Sequence, residues 1–191
     1  SAVYKDKEGF VWFGTRNGLS RYDGRQITNF EQSNSYPSIS NLKEVFDGVL
    51  AFVDNGVFSA FDLKKERFLS VVSSSEKRIP SWGMLQKNDS LVWVISGSEL
   101  HLMKRCASKE GELRLRVQEK YTGWDNQDNL LVAITYSSDK KSICLIDEKG
   151  RIILLDATNL NSFRVIDLGR TGSLSVNSVL YDDGRIWIST I

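Results

Sequence analysis

The same local order recurs five times along the 191-residue chain: a turn, a short apolar run, a second turn, and a further strand-like run in all but the last. In the first instance Asp6-Lys-Glu-Gly9 precedes residues 10–13 (Phe-Val-Trp-Phe), and Arg16-Asn17-Gly18 separates these from residues 19–22, closed by Asp23-Gly24. Asp47-Gly48 opens the second around residues 49–53, with Asp54-Asn55-Gly56 leading into 57–61. Asn88-Asp89-Ser90 opens the third around 91–95, with Ser96-Gly97-Ser98 leading into 99–103. Residues 139–142 open the fourth around 143–146, and 147–150 lead into 152–155. Asp182-Asp183-Gly184 opens the fifth around 185–188. Gly, Asn and Asp suit tight hairpins because they tolerate positive φ and bond back to the local backbone.

Taking the centre of each apolar run as an anchor gives Trp12, Leu50, Trp93, Cys144 and Trp187, spaced by 38, 43, 51 and 43 residues. A period of roughly 40–50 residues built from four short strands is the size of a β-propeller blade. Inner strands are expected ahead of the turns at 39–46, 82–86, 130–136 and 176–181, and outer strands around Phe30, Phe68, Val117 and Phe163. The predicted fold class is therefore all-β: β-propeller blades, four four-stranded antiparallel units plus part of a fifth. Residues 1–191 form a single region, with approximate blades at 1–32, 39–72, 79–120, 129–168 and 175–191. No helix-period segment of useful length competes with this assignment.

The repeat also explains why the second strand of a unit is apolar at every position. A strand covered by neighbouring blades on both faces has no solvent side, so it does not alternate. Trp12, Phe13, Phe52, Trp93 and Trp187 supply the large areas such stacking buries, and Trp12, Trp93 and Trp187 are expected to be largely buried. Four units and part of a fifth do not close a ring, so a partial propeller or open arc, excised or truncated, is expected. Its exposed edges and faces would favour self-association.

Composition removes several function classes. Lys and Arg number 25 against 24 Asp and Glu, a net charge of +1, so no global field draws in nucleic acid or an anionic membrane surface. Neither partner is expected. A single histidine, His101, leaves no Ser-His-Asp set with a nucleophile elbow and no zinc cluster, and it is read as a packed or rim residue. Cys106 and Cys144 lack metal-ligand or CxxC spacing and read as two buried small hydrophobes, with a disulfide between them left open. Residues 125–129 are rich in oxygen ligands but lack the EF-hand order, and read as a solvated loop. The sequon Asn88-Asp-Ser90 and the acidic pair Asp182-Asp183 both read as turns. No catalytic residue, metal or cofactor is expected.

Residues 6–24, DKEGFVWFGTRNGLSRYDG, look very like the two-component regulator propeller repeat, and residues 181–190, YDDGRIWIST, resemble its first half. The three units between keep the spacing but replace the Trp by Leu50 and Cys144 in two cases and lack the following Gly-Thr. The resemblance implies the periplasmic sensor region of a hybrid two-component protein in bacteria that degrade polysaccharides. In such proteins a membrane helix, a histidine kinase and a DNA-binding regulator follow. By that resemblance the chain is a non-catalytic ligand-sensing and interaction module, held at the inner membrane through its parent protein. Its implied partners are an oligosaccharide, the remaining blades and the downstream domains.

In a blade with strands A to D, the D–A and B–C connections share one end, and the A–B and C–D turns share the other. The D–A connections differ in length and composition from unit to unit, as binding loops on a rigid scaffold do. They carry Tyr36, Trp82 and Trp124, with Arg78, Asp125 and Arg170 as charged neighbours. These six are the candidate ligand-binding residues, since aromatic faces beside charged hydrogen-bonding groups suit sugar rings. The competing structural reading has Trp82 plugging a central channel and Trp124 covering a blade. Two other function classes stay open on this scaffold: a protein-interaction propeller, and a lyase or glycosidase. A glycosidase needs two carboxylates at a defined separation, and Glu76, Asp125 and Asp128 are its candidates.

Overall fold

The structure, a computed structural model, describes residues 2–31, 38–73, 78–124, 129–169 and 173–190. These residues form eighteen strands and no helix. The first unit comprises β1 (Ala2–Lys5), β2 (Val11–Thr15), β3 (Gly18–Tyr22) and β4 (Ile27–Phe30), hydrogen-bonded in that order. The second comprises β5 (Ile39–Phe46), β6 (Val49–Asp54), β7 (Val57–Asp62) and β8 (Arg67–Ser73), and the third β9 (Gly83–Asn88), β10 (Leu91–Ser96), β11 (Glu99–Cys106) and β12 (Glu112–Tyr121). The fourth comprises β13 (Leu131–Tyr136), β14 (Ser142–Asp147), β15 (Ile152–Asp156) and β16 (Phe163–Ile166); β17 (Val176–Asp182) and β18 (Arg185–Thr190) form a final hairpin. All pairings within a unit are antiparallel. The first strands of successive units lie side by side, β1 by β5, β5 by β9, β9 by β13 and β13 by β17, so each sheet fans outward from them.

The hydrophobic core is divided into four layers, one between each pair of successive sheets. Trp12 and Leu19 meet Leu50, Phe52 and Phe61 in the first layer. Val49, Ala51 and Val53 meet Met84, Val92 and Val94 in the second. Trp93 and Ile95 meet Ile143 and Leu145 in the third, and Cys144 and Ile146 meet Ile186 and Ile188 in the fourth. Successive side chains of a strand point to opposite faces. Even-numbered residues of β6 and β10 therefore enter one layer and odd-numbered residues the next, and in β14 the parity is reversed. Every residue of β6 is buried for this reason.

The same register corrects two expectations. Trp187 is 60 % exposed, because Ile186 and Ile188 take the covered face of β18 and Trp187 takes the other. Phe13 is half-buried for the same reason, since Trp12 and Gly14 take the covered face of β2. Among the described residues no sheet packs on those outer faces. Trp12 and Trp93, at 1 % exposure each, are buried as expected.

Local chemistry fixes the first unit. Asp6 accepts a hydrogen bond from the Phe10 backbone N–H at 2.9 Å and from the Trp12 indole N–H at 2.7 Å. One carboxylate thus closes the β1–β2 turn and holds the buried ring. Arg21 lies over Phe10, Trp12 and Phe30 at 4.7–5.7 Å, completing the stack from the solvent side. Gly14 faces Ile39 of the next sheet so closely that a Cβ there would fall 2.5 Å from the Ile39 Cγ2. Elsewhere the turns behave as read: Asn55 (φ 48°) and Gly56 (φ 77°) join β6 to β7, and Asp183 (φ 44°) and Gly184 (φ 72°) join β17 to β18. Asn88 accepts the Ser90 N–H at 3.0 Å, making its sequon part of a turn.

An unforeseen pairing lies at the rim. β12 is ten residues long, and its beginning pairs in parallel with β8, Glu112 opposite Ser70 through Leu115 opposite Ser73. Two four-stranded units thereby merge into one eight-stranded sheet. Leu113 and Leu115 enter the second core layer from this segment, so the pairing carries apolar burial as well as backbone hydrogen bonds.

Both cysteines are free. Cys144 is buried in the fourth layer, and burial pushes its thiol up to about 12. Cys106 departs from the expectation: it is only half-buried, at the end of β11 beside exposed Lys104 and Arg105. His101 is a packed residue, with its Nε2 2.6 Å from Glu99 Oε2, and Lys120 reaches the same oxygen at 3.2 Å. The His101 hydrogen bond foremost, and then Lys120, hold the Glu99 carboxyl below its usual range.

Trp12→Ala should cost about 3–5 kcal/mol in urea unfolding through cavity formation. Trp187→Ala should stay within about 0.5 kcal/mol of the parent. Gly14→Ala should cost about 1–3 kcal/mol by overpacking against Ile39. A depressed carboxyl pKa adds stability that is present above the unfolded pKa and lost as pH falls through the folded one. Glu99→Gln should therefore lower the urea midpoint at neutral pH, and the gap to the parent should close under acid conditions.

Candidate functional site

One end of the sheets is stitched together by the connections that enter the inner strands. Ser81, in the segment leading to β9, donates its N–H to Gly56 of the β6–β7 turn at 2.8 Å. Leu131 donates to Gly97 of the β10–β11 turn at 2.9 Å, and Leu174 to Glu148 of the β14–β15 turn at 2.5 Å. These three D–A connections therefore share one end with the B–C turns, each pinned to the preceding unit. Loop backbone held this way can position side chains as firmly as a strand does.

A cavity of about 790 Å³ lies along the inner strands at this end, walled by parts of β1, β5, β13 and β17 together with Trp82 and Glu148. Its most shaped wall is β5. Ser40 pairs with Val53 and Lys43 with Ala51, so Asn41 and Leu42 oppose the single residue Phe52 in a β-bulge. Asn41 takes the left-handed conformation there (φ 51°), which asparagine tolerates better than most residues. The bulge lets Ile39 and Leu42, three positions apart, enter the same core layer. Ser40, Asn41 and Lys43 are left lining the cavity.

Asn41 Nδ2 donates to the Trp82 carbonyl at 2.9 Å, and the Trp82 N–H donates to Ile95 O at 3.1 Å. The Trp82 backbone is thus held from both sides while the residue stays 49 % exposed at the cavity wall. Lys43 is half-buried, and no hydrogen bond or ion pair engages its ammonium among the described residues. Burial pushes its pKa down. With Glu148 it supplies the charge at this wall, and serine hydroxyls and backbone groups supply the rest. Such a set can hold a polar ligand with one flat face.

The six residues singled out from sequence are distributed as follows. Trp82 lines the cavity. Arg78 is exposed near it in sequence but is not part of its wall. Trp124 sits at the same end, over the β10–β11 turn, donating its indole N–H to Ser98 O at 3.3 Å and meeting Phe163 edge-on at 6.0 Å. It packs on the third core layer and does not line the cavity. Tyr36, Asp125 and Arg170 lie outside the described residues, as do Glu76, Asp128 and most of the 125–129 segment read as a solvated loop. Sequence reasoning missed Asn41, Lys43 and Glu148. Apolar residues at 39 and 42 break the period of two, and that break was the available signal for the bulge.

A second cavity of about 250 Å³ lies at the opposite end, between the first two units. Its two lysines are already paired, Lys7 with Glu44 at 3.2 Å and Lys64 with Asp47 at 3.0 Å. Among the described residues no cluster of His, Cys, Asp and Glu is arranged to hold a metal ion. Among the same residues no helix is long and apolar enough to cross a membrane.

A scan against protein-family models and a search of curated proteins find no match. Solved structures do match. The extracellular domain of BT3049 from B. thetaiotaomicron, assigned to a hybrid two-component system, superposes with a TM-score of 0.72 at 17% identity, over 98% of this chain and 26% of its own length. The extracellular domain of BT4673 from the same organism, assigned to a one-component system, gives 0.70 at 16% identity, over 99% of this chain and 28% of its own. The WD40 propeller domain of Doa1 gives 0.64 at 15% identity, over 98% and 58%. The chain spans about a quarter of the length of the two bacterial domains. With its outward-fanning antiparallel sheets and layered core, the chain has an all-β, β-propeller fold.

Proposed function

We propose that this chain is a non-catalytic ligand-sensing module of a two-component sensor, placed outside the cytoplasm, with an oligosaccharide as its ligand. The observation that carries the reading is the cavity along the inner strands, where a backbone-clamped, half-exposed Trp82 shares the lining with Ser40, Asn41, Lys43 and Glu148. A rigid aromatic ring offers its face to sugar C–H groups, and neighbouring donors and acceptors take the hydroxyls. The structural likeness to two bacterial extracellular domains and the repeat motif at residues 6–24 support the sensory setting. Calorimetric titration with an oligosaccharide panel tests it. Trp82→Ala should weaken binding by more than about 1 kcal/mol while barely altering stability. Trp124→Ala should instead lower stability, because its ring covers a core layer. Unchanged affinity on removal of Trp82 would exclude the cavity as the site.

A specific surface favours a second reading, in which the propeller also associates with a copy of itself. Leu180 (58 % exposed) and Trp187 (60 %) sit opposite each other across β17 and β18 and form an apolar pair open to solvent. Sedimentation should show concentration-dependent association that Trp187→Ser abolishes. A monomer at all concentrations would remove this reading.

A further inference from the structure

Apart from Lys43, the described lysines are all exposed to solvent, and four of them, Lys7, Lys64, Lys65 and Lys120, reach a carboxylate within 2.7–3.2 Å. Lys43 does not. It lies on an inner strand, half-buried, in the lining of the cavity of about 790 Å³, with no ion-pair partner among the described residues. Glu44, next in sequence, is already engaged by Lys7 and by the Gly48 N–H. Glu148 lines the same cavity but makes no ion pair with Lys43. An ammonium withdrawn from water without a partner costs free energy, and a ligand anion placed against it recovers that cost in a charge-assisted hydrogen bond. The lowered pKa of Lys43 reflects the same desolvation. Ser40 and Ser175 add hydroxyl donors along the same wall, and hydroxyls complement carboxylate or sulfate oxygens as well as sugar hydroxyls.

We infer that the cavity selects an acidic saccharide, with Lys43 taking the carboxylate or sulfate and Trp82 the face of an adjoining ring. The assignment rests on the saccharide-binding reading above and adds the charge class of the ligand. Glu148 acts against the anion from the facing turn and limits how many negative groups the cavity accepts. Asn41 is a positioning residue, since it holds the backbone of Trp82.

The test is calorimetric titration of the chain with three size-matched probe sets: galacturonate oligomers, sulfated galactose oligomers and neutral galactose oligomers. At least one acidic set should bind about tenfold more tightly than the neutral one, the usual size of a charge-assisted contact. The stronger of the two acidic arms identifies carboxylate or sulfate. Lys43→Gln should erase the preference, Lys43→Arg should retain it, and Glu148→Gln should strengthen acidic binding. Added salt should weaken acidic but not neutral binding in the unsubstituted chain, a readout that needs no variant. Equal affinity for all three sets, or a preference that survives Lys43→Gln, overturns the inference and leaves saccharide binding standing. Absence of binding by every set overturns the saccharide reading and the inference with it.

Discussion

The constraint on which the rest of the structure depends is that every interior sheet is a partition between two cores. Leu50 and Phe52 serve one layer while Val49, Ala51 and Val53 serve the next, and neither face of β6 over these residues is open to solvent. A sheet with one wet face keeps its register by placing apolar residues at every second position. A sheet with two dry faces loses that discriminator, because a slip by one residue moves an apolar side chain into another apolar layer. Registry must then come from side-chain size and from the turns. The large rings of Trp12 in the first layer and Trp93 in the third, and the positive-φ turns at Asn55-Gly56 and Asp183-Gly184, supply it.

The Asp6–Trp12 hydrogen bond shows how a short motif does several jobs at once. A buried indole N–H left without a partner would be destabilising, and the carboxylate that satisfies it also ties the turn through Phe10. Two residues on, Gly14 gives up its side chain so that the next sheet can approach at Ile39. The run from Asp6 to Gly14 therefore encodes a turn, a buried ring and an inter-sheet contact in nine residues. The later units reach comparable layers with Leu50 and Cys144 at the anchor, where a smaller side chain needs no carboxylate.

The cavity follows from the same layering. Side chains of the inner strands leave space between them, and the lining mixes apolar residues such as Val132 and Ile134 with serines, Asn41, Lys43 and Glu148. The bulge at Asn41 adapts β5 to this place, keeping Ile39 and Leu42 in the core while turning Ser40, Asn41 and Lys43 inward. The rim solves the opposite problem. Sheets diverge there, and the ten residues of β12 reach across to β8 so that Leu113 and Leu115 stay covered.

What the sequence by itself determined was whatever is local. Turn residues at a regular period, apolar runs between them and the length of each unit defined the strands, their antiparallel order and the burial of Trp12, Phe52 and Trp93, because hairpins are specified by neighbours in the chain. Tertiary structure alone decided which face of a strand is covered and by what. Trp187 and Phe13 carry the same apolar signal as Trp12, yet they point to faces on which no described sheet packs. The site divides in the same way. Trp82 was legible as an aromatic residue in a variable connection, whereas Asn41, Lys43 and Glu148 come together from β5 and a turn more than a hundred residues later in the chain. A lone lysine within a strand carries no sign of its role in sequence. Only the convergence of inner strands makes it a charge without a partner.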